Sequence, residues 1–134
     1  IIVNGGYQIS PTIIKKSQKE KKEKILDQEV SEKILPILRK IVNTKEGTAS
    51  LANVNGYEIG GKTGTSRTHL EGVGYSEDRF NTSFTGFVET KEGPIVGSVL
   101  LWGAKTNPTS EYVTGGSTAA PIFVALESFM KILN

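Results

Sequence analysis

The stretch Gly60-Gly61-Lys62-Thr63-Gly64-Thr65-Ser66 combines one lysine with three glycines and three hydroxyl side chains. Glycines let another molecule approach the backbone closely, because they carry no Cβ. Hydroxyl and backbone N–H groups bind anions or polar carbonyls, and the lysine adds a compact positive charge. A packed core needs none of these groups in this mixture, so we interpret the stretch as a binding site.

Two sequence patterns fit this stretch and imply different chemistry. Gly56–Thr63 has the spacing of a phosphate-binding loop, G-x-x-x-x-G-K-T, whereas Lys62-Thr63-Gly64 matches the third motif of penicillin-recognising serine transferases and β-lactamases. A phosphate loop requires a buried strand before it and a helix directly after its lysine. The residues that follow are rich in glycine and lack apolar residues at helical spacing, which disfavours nucleotide binding.

The residues around the motif predict an antiparallel meander. Tyr57–Ser66 favours an extended strand, and Phe80–Val88 and Ile95–Trp102 predict two more strands. Both faces of Ile95–Trp102 are apolar, so we expect that strand to be central. Arg67–Asp78, which contains the one histidine, His69, is predicted to be a loop at the mouth of a cleft. The site strand then has one neighbour, and its other edge is open to an extended peptide.

Apolar residues at helical spacing predict a helix on each side of the meander. The first covers residues 28–43 and contains Pro36, and the second covers residues 117–133. The meander, carrying the K-T-G motif, is placed at residues 57–102. The fold class is therefore α+β, an antiparallel sheet with helices packed on its faces, in one domain over residues 1–134.

Composition excludes several classes of function. The 134 residues carry a net charge of +2, and the basic excess lies in residues 15–24, which hold six lysines and two glutamates. We place this segment in an exposed hairpin over residues 11–27, with short strands at Pro11–Lys16 and Ile25–Leu26. A solvated connector accounts for it, so we expect no nucleic-acid partner. Cysteine is absent, which excludes thiolate chemistry, and no metal or other cofactor is expected.

The site stretch is one of five that follow one another along nearly the whole chain. They are Val3-Asn4-Gly5-Gly6 with Ser10–Lys15, Gly47-Thr48-Ala49, Gly60–Ser66, Arg79–Phe87 and Tyr112–Pro121. In this order they resemble the C-terminal part of the transpeptidase domain of class B penicillin-binding proteins, the division and elongation transpeptidases of bacterial cell walls. Five ordered matches are far more specific than the K-T-G triplet alone. The resemblance implies a partial penicillin-binding/β-lactamase-like transpeptidase fold.

The resemblance implies acyl transfer on a peptidoglycan stem peptide that ends in D-Ala-D-Ala, and covalent binding of β-lactams, which mimic it. Lys62 would keep the site positive and assist proton movement, and the Thr65 N–H would donate to the oxyanion. The hydroxyls of Thr63 and Thr65 would bind the terminal carboxylate. Gly64 would keep the cleft wall clear, and Ser66 would add a hydrogen bond. Lys62 and Thr65 are thus the expected catalytic residues.

The resemblance also implies a nucleophile in an S-x-x-K motif and a second motif, S-x-N. Ser17-Gln-Lys-Glu and Ser31-Glu-Lys-Ile both fail at the fourth position, and S-x-N is absent. We therefore expect both motifs upstream in a longer protein, and the isolated fragment to be unable to acylate. Since the family packs its nucleophile helix behind the sheet, one sheet face should be bare and apolar here, which invites the upstream part or a second copy.

Two other classes of function remain open. One is another penicillin-recognising protein, such as a D,D-carboxypeptidase, a β-lactam sensor or a class D β-lactamase, and the other is a non-enzymatic module. The matches at Arg79–Phe87 and Gly115–Pro121 favour the transpeptidase. The chain begins at Ile1 and shows neither a spanning segment nor a signal-peptide pattern. The resemblance implies the outer, periplasmic side of the bacterial cytoplasmic membrane, with the anchor outside this fragment.

Overall fold

A computed structural model describes residues 1–14, 22–105 and 112–125. Contacts between residues divide the chain into two units, Ile1–Ile37 and Leu38–Asn134. The second unit contains the K-T-G stretch and all the contacts that shape it. The helix that joins the two units in sequence, α1, covers Gln28–Asn43.

Backbone pairing within the first unit joins residues 6–8 to residues 23–26. Tyr7 forms an antiparallel bridge with Lys24, and the Ile25 N–H donates to the Gly6 carbonyl at 2.8 Å. The strand predicted at Pro11–Lys16 is wrong for residues 11–14, which are exposed and outside any strand. The pairing uses residues 6–8 instead, and the rest of the predicted hairpin, residues 15–21, lies outside the described residues.

Helix α1 begins directly after Asp27, and its end charges suit the helix dipole. Glu29 lies in the first turn and Lys40 in the last, where an anion and a cation are respectively stabilised. Pro36 lies inside the helix. In the second unit, Val42 from the last turn is fully buried in the hydrophobic core.

The second unit is built on a three-stranded antiparallel sheet. Its strands are β1 (Ile59–Leu70), β2 (Gly74–Val88) and β3 (Ile95–Lys105), and they lie side by side in that order. Within the described part of the chain, β1 is therefore an edge strand, as predicted. The expectation that Ile95–Trp102 is central is wrong, because β2 lies between the other two strands.

The β1–β2 hairpin is longer than predicted, and the expected loop at residues 67–78 is wrong. Strand β1 continues to Leu70, β2 begins at Gly74, and the two are joined by a tight turn. The pairing passes directly from Arg67 opposite Phe80 to His69 opposite Tyr75, so β2 carries a bulge at this point. Glycine and polar residues predict a loop by composition. Here they lie in the bulge and in the turn, and the strands pair again beyond the bulge.

One face of the sheet packs against helix α2, Ala119–Ala125, which also packs against the short 3-10 helix Ser50–Ala52. The Phe84 and Phe123 rings meet edge to face, with centroids 4.9 Å apart, a favoured aromatic geometry. The second helix, predicted at residues 117–133, begins at Ala119, and residues 126–133 lie outside the described residues. The buried core consists of Val42, Ala49, Ala52, Ile59, Phe84, Val88, Ala119, Ala120 and Phe123.

The opposite face of the sheet is exposed along β3 and mostly apolar, with Ser98 as a polar residue between Val96 and Leu100. Val96, Leu100 and Trp102 alternate with residues that face the core, and they are 58%, 66% and 73% exposed. This agrees with the expectation of a bare apolar face. The molecule is α+β, an antiparallel sheet with helices packed on it, and the predicted fold class is confirmed.

Candidate active site

The K-T-G stretch lies in the first half of edge strand β1. Lys62 pairs with Thr85 in the register of β2, and Thr65 pairs with Thr82. The strand runs on from the lysine to Leu70, so the lysine lies within a strand and not at the start of a helix. This geometry contradicts the phosphate-loop alternative, which requires the lysine at the start of a helix.

The glycine pair before the lysine makes room for aromatic rings rather than for a ligand. Gly60 and Gly61 are both buried. A Cβ on Gly60 would lie 2.6 Å from a carbon of the Phe87 ring, and one on Gly61 would lie 2.7 Å from the Thr85 carbonyl oxygen. Close packing of β1 against β2 therefore requires glycine at both positions. Gly64 differs from these two glycines in what a Cβ would meet, because the nearest atom would be the side-chain hydroxyl oxygen of Ser83, at 2.6 Å.

The ammonium group of Lys62 lies along its own strand. Its Nζ donates to the Thr63 carbonyl at 2.9 Å and lies 3.4 Å from the Thr63 hydroxyl oxygen. The Thr63 hydroxyl in turn lies 3.1 Å from the hydroxyl of Thr48, and either oxygen can be the donor. The structure thus brings an ammonium and two hydroxyls together at an exposed position of β1.

Thr48 is a candidate site residue that the sequence analysis did not assign. It lies in the loop before the 3-10 helix, fifteen positions ahead of Thr63 in the sequence. The signal was present in the match at Gly47-Thr48-Ala49, which the family resemblance includes but to which we assigned no role in the site. Its contact with Thr63 depends on how the loop folds back, which no local pattern encodes.

Thr65 is held by a different loop, the one that precedes helix α2. The N–H of Gly115 donates to the Thr65 hydroxyl oxygen at 3.0 Å, and Gly115 is buried while Thr65 is exposed. Ser66, the last predicted binding residue, is also exposed and pairs with Asn81 in the register. The structure therefore brings Lys62 and Thr63 together, with Thr65 next along the strand under a separate support.

The bulge in β2 is fixed by side-chain hydrogen bonds. Ser76 donates to the Asp78 carboxylate at 2.8 Å and accepts the Arg79 N–H at 3.2 Å. The hydrogen bond from Ser76 lowers the pKa of Asp78, because it stabilises the ionised carboxylate. Beyond the bulge, His69 packs edge to face against Tyr75, with ring centroids 5.3 Å apart, in the distal part of the hairpin.

One more serine, besides Ser17 and Ser31, begins a four-residue stretch to be compared with the nucleophile motif. Ser128-Phe129-Met130-Lys131 has the S-x-x-K spacing, and the comparison of Ser17 and Ser31 missed it. It follows the K-T-G stretch in the chain, whereas the family resemblance implies a nucleophile motif that precedes it. These four residues lie outside the described residues, so the structure assigns them no place in the site.

Residues 1–14, 22–105 and 112–125 contain no cluster of metal-ligating side chains. Over the same ranges, no helix has the length and apolar character needed to cross a membrane.

Comparison with known proteins gives the family. A family model described as "Penicillin binding protein transpeptidase domain" matches residues 1–127. The "Stage V sporulation protein D" of Bacillus subtilis (strain 168) is 33% identical over an alignment of 132 residues, and the match covers 90% of this chain and 19% of that protein. A "Peptidoglycan D,D-transpeptidase FtsI homolog" of Chlorokybus atmophyticus is 32% identical over 111 residues, which cover 82% of this chain and 16% of that protein.

A solved structure of similar fold is the apo transpeptidase (TP) domain of penicillin-binding protein 3 from Burkholderia pseudomallei. The TM-score is 0.80 and the sequence identity 26%, over 99% of this chain and 39% of that one. The chain spans less than a fifth of the length of the two curated relatives, at 19% and 16%. With its K-T-G edge strand and these matches, the chain belongs to the penicillin-binding protein transpeptidase domain family.

Proposed function

We propose that this chain is the C-terminal part of a serine D,D-transpeptidase, which cross-links peptidoglycan stem peptides and binds β-lactams covalently at the same site. The observation that carries the proposal is the exposed edge strand on which Lys62, Thr63 and Thr65 present an ammonium and two hydroxyls in sequence. An acyl-D-alanine end has a carboxylate and a reacting carbonyl close together. The threonine hydroxyls of the strand suit the carboxylate, and the Thr65 N–H suits the oxygen of the reacting carbonyl.

The substrate peptide would lie antiparallel or parallel along the open edge of β1 and extend the sheet by one strand. An edge strand has backbone groups on its outer side that a peptide can pair with, and such pairing gives affinity while side chains give specificity. In this position the hydroxyls of Thr63 and Thr65 bind the terminal carboxylate of the peptide or of the drug. Ser66 adds a hydrogen bond further along the strand.

The chemical step needs a serine from the rest of the transpeptidase domain. That serine attacks the carbonyl of the penultimate D-alanine, D-alanine leaves, and an amine from a neighbouring peptide resolves the ester. The Thr65 N–H donates to the oxyanion, and one such donor contributes roughly 3 kcal/mol in other acyl transferases. Lys62 keeps the site positive and assists proton movement, and Gly64 leaves the cleft wall without a side chain.

The proposed location follows from the substrate, since stem peptides are joined outside the cytoplasmic membrane. The domain would lie on the periplasmic side of the bacterial cytoplasmic membrane, with the anchor in another part of the protein. Its partners would be the stem peptide, β-lactam antibiotics and the upstream part of the same domain.

The test compares this chain with the complete transpeptidase domain that contains it, using a fluorescent penicillin as the label. We expect covalent labelling of the complete domain and none of this chain alone, because the serine and its lysine base come from upstream. The control is Ser128→Ala in both proteins, which should change neither result.

Labelling of this chain that disappears in Ser128→Ala would show that Ser128 is the nucleophile and overturn the assignment of an upstream serine. A complete domain that is not labelled would overturn the proposed function. Rapid loss of the label by hydrolysis would favour a β-lactamase over a transpeptidase.

A further inference from the structure

The loop that precedes helix α2 packs directly against the site strand. Its residue Gly115 donates its backbone N–H to the Thr65 hydroxyl oxygen at 3.0 Å, across fifty positions of sequence. Since Gly115 is buried and Thr65 exposed, the amide approaches the threonine from the protein side. Thr65 as a whole remains open to solvent.

This approach is so close that only glycine fits. A Cβ on Gly115 would lie 2.6 Å from the Gly64 carbonyl oxygen, 3.1 Å from the Gly64 nitrogen and nearer still to the Ser83 carbonyl oxygen. All three are backbone atoms of a paired sheet, which cannot move aside as a flexible side chain can. Any side chain at position 115 would therefore displace the amide from Thr65.

The loop has its own supports, which do not involve Thr65. Thr114 and Ser117 exchange hydrogen bonds, each side-chain oxygen accepting the backbone N–H of the other residue at 3.1 Å. The Thr118 hydroxyl lies 2.8 Å from the Thr82 hydroxyl and 2.6 Å from the Thr114 carbonyl. The Gly115 amide is thus held in place before any ligand arrives.

A threonine hydroxyl has one proton to donate and two acceptor positions. The Gly115 N–H occupies an acceptor position, so the hydroxyl proton turns away from the amide. We propose that Gly115 is a positioning residue that fixes the Thr65 hydroxyl as a donor, directed at a carboxylate that lies one residue beyond the reacting carbonyl. This inference rests on the proposed function and adds a residue to it. The carboxylate belongs to an acyl-D-alanine peptide or to the corresponding position of a β-lactam.

A hydroxyl that already points outward pays no cost of reorientation when the anion binds. Without the amide, the hydroxyl proton would be free to rotate towards backbone carbonyls or water, and its bond to the carboxylate would weaken. A single neutral hydrogen bond contributes about 1 kcal/mol, so losing this one should change a rate about fivefold. The effect should be confined to ligands that carry the carboxylate.

The experiment measures acylation of the complete transpeptidase domain by benzylpenicillin and by its methyl ester, which lacks the anionic carboxylate. The ratio of the two second-order rate constants is the readout, because a fraction of misfolded protein lowers both rates equally. We expect Gly115→Ala to lower the acid-to-ester ratio about fivefold. The control is Gly97→Ala, in which the new Cβ would meet the Phe123 ring at 3.0 Å, away from the site, and the ratio should stay unchanged.

A double-mutant cycle with Thr65→Val separates positioning from a general structural effect. Thr65→Val should lower the ratio about tenfold or more, since a hydrogen bond to a charged group is lost. Adding Gly115→Ala in that background should change the ratio no further, whereas in Thr65→Ser it should still lower it. If Gly115→Ala lowers the ratio as much in the Thr65→Val background as it does in the unmodified domain, the proposal is overturned.

A second variant covers the case in which Gly115→Ala does not fold. Replacing Gly115 by glycolate converts its amide to an ester and removes the N–H without adding an atom. We expect the same fall in the acid-to-ester ratio, and an unchanged ratio would reject the positioning role. If the unmodified domain is acylated by neither compound, the proposed function itself has failed. This outcome is distinct from an unchanged ratio, which rejects only the positioning role of Gly115.

Discussion

Among the individual residues, the threonines of the site differ in what holds them. The Thr63 hydroxyl lies 3.1 Å from that of Thr48, and the Thr65 hydroxyl accepts the amide of Gly115. Sequence reasoning could assign Lys62 and the threonines, because a motif encodes their type and spacing within one strand. It could not assign Thr48 or Gly115 a role, because each reaches the site through loop packing over a long sequence separation.

We expect Thr48→Val to slow acylation of the complete domain by a fluorescent penicillin about fivefold, because the Thr63 hydroxyl loses a neutral hydrogen-bond partner. Thr48→Ser, which keeps the hydroxyl, should retain most of the rate. Stopped-flow or gel-based labelling gives the rate constant. Thr44→Val is the control, since that hydroxyl bonds the Lys40 carbonyl at the end of α1. Equal rates for Thr48→Val and the unmodified domain would contradict the role of Thr48.

Among the elements, strand β1 shows how a correct prediction can have an incorrect reason. Strand propensity and the motif placed the site on an edge strand, but Gly60 and Gly61 serve packing against Phe87 and Phe84. For β3, two apolar faces suggested a central strand. One face packs on helix α2 while the other is exposed, and hydrophobicity alone does not say how many neighbours a strand has.

At this scale we predict that Gly61→Ala destabilises the complete domain by about 1–3 kcal/mol, the typical cost of overpacking. Its Cβ would lie 2.7 Å from the Thr85 carbonyl and against the Phe84 ring, so the two strands must separate. Urea unfolding gives the change in free energy. Gly97→Ala is the matched control and should cost less, because its contact at 3.0 Å is with the Phe123 ring. Equal costs for the two variants would rule out this explanation of the glycine pair.

For the whole molecule, the exposed apolar face along β3 is the main surface feature of the described residues. The chain covers 39% of the Burkholderia transpeptidase domain structure, and the family resemblance implies that upstream segments pack behind the sheet. We predicted this face because the resemblance places the nucleophile helix upstream, and not from the pattern of apolar residues in β3. Neither the motif nor the pattern could show that Val96, Leu100 and Trp102 carry the exposed surface.

We therefore predict that this chain alone self-associates and binds an apolar dye, and that Leu100→Lys with Trp102→Lys lowers both. A charge on each side chain makes burial of the face costly. Light scattering gives the mass, and dye fluorescence reports the exposed surface. Val73→Lys is the control, because Val73 is 78% exposed but lies at the hairpin turn. A monomer that binds no dye would contradict the prediction.

The distal part of the β1–β2 hairpin has a further consequence for the evolution of such a domain. The last residue of β3, Lys105, pairs with Arg79, whereas β1 and β2 stay paired as far as Leu70 and Gly74. Among the residues that the structure describes, this ribbon has no third strand beside it, and lengthening its tip costs little loop-closure entropy. Insertions there would lengthen the end of the hairpin that is farthest from Lys62, while leaving the lysine-bearing part of strand β1 and its pairing with β2 unchanged.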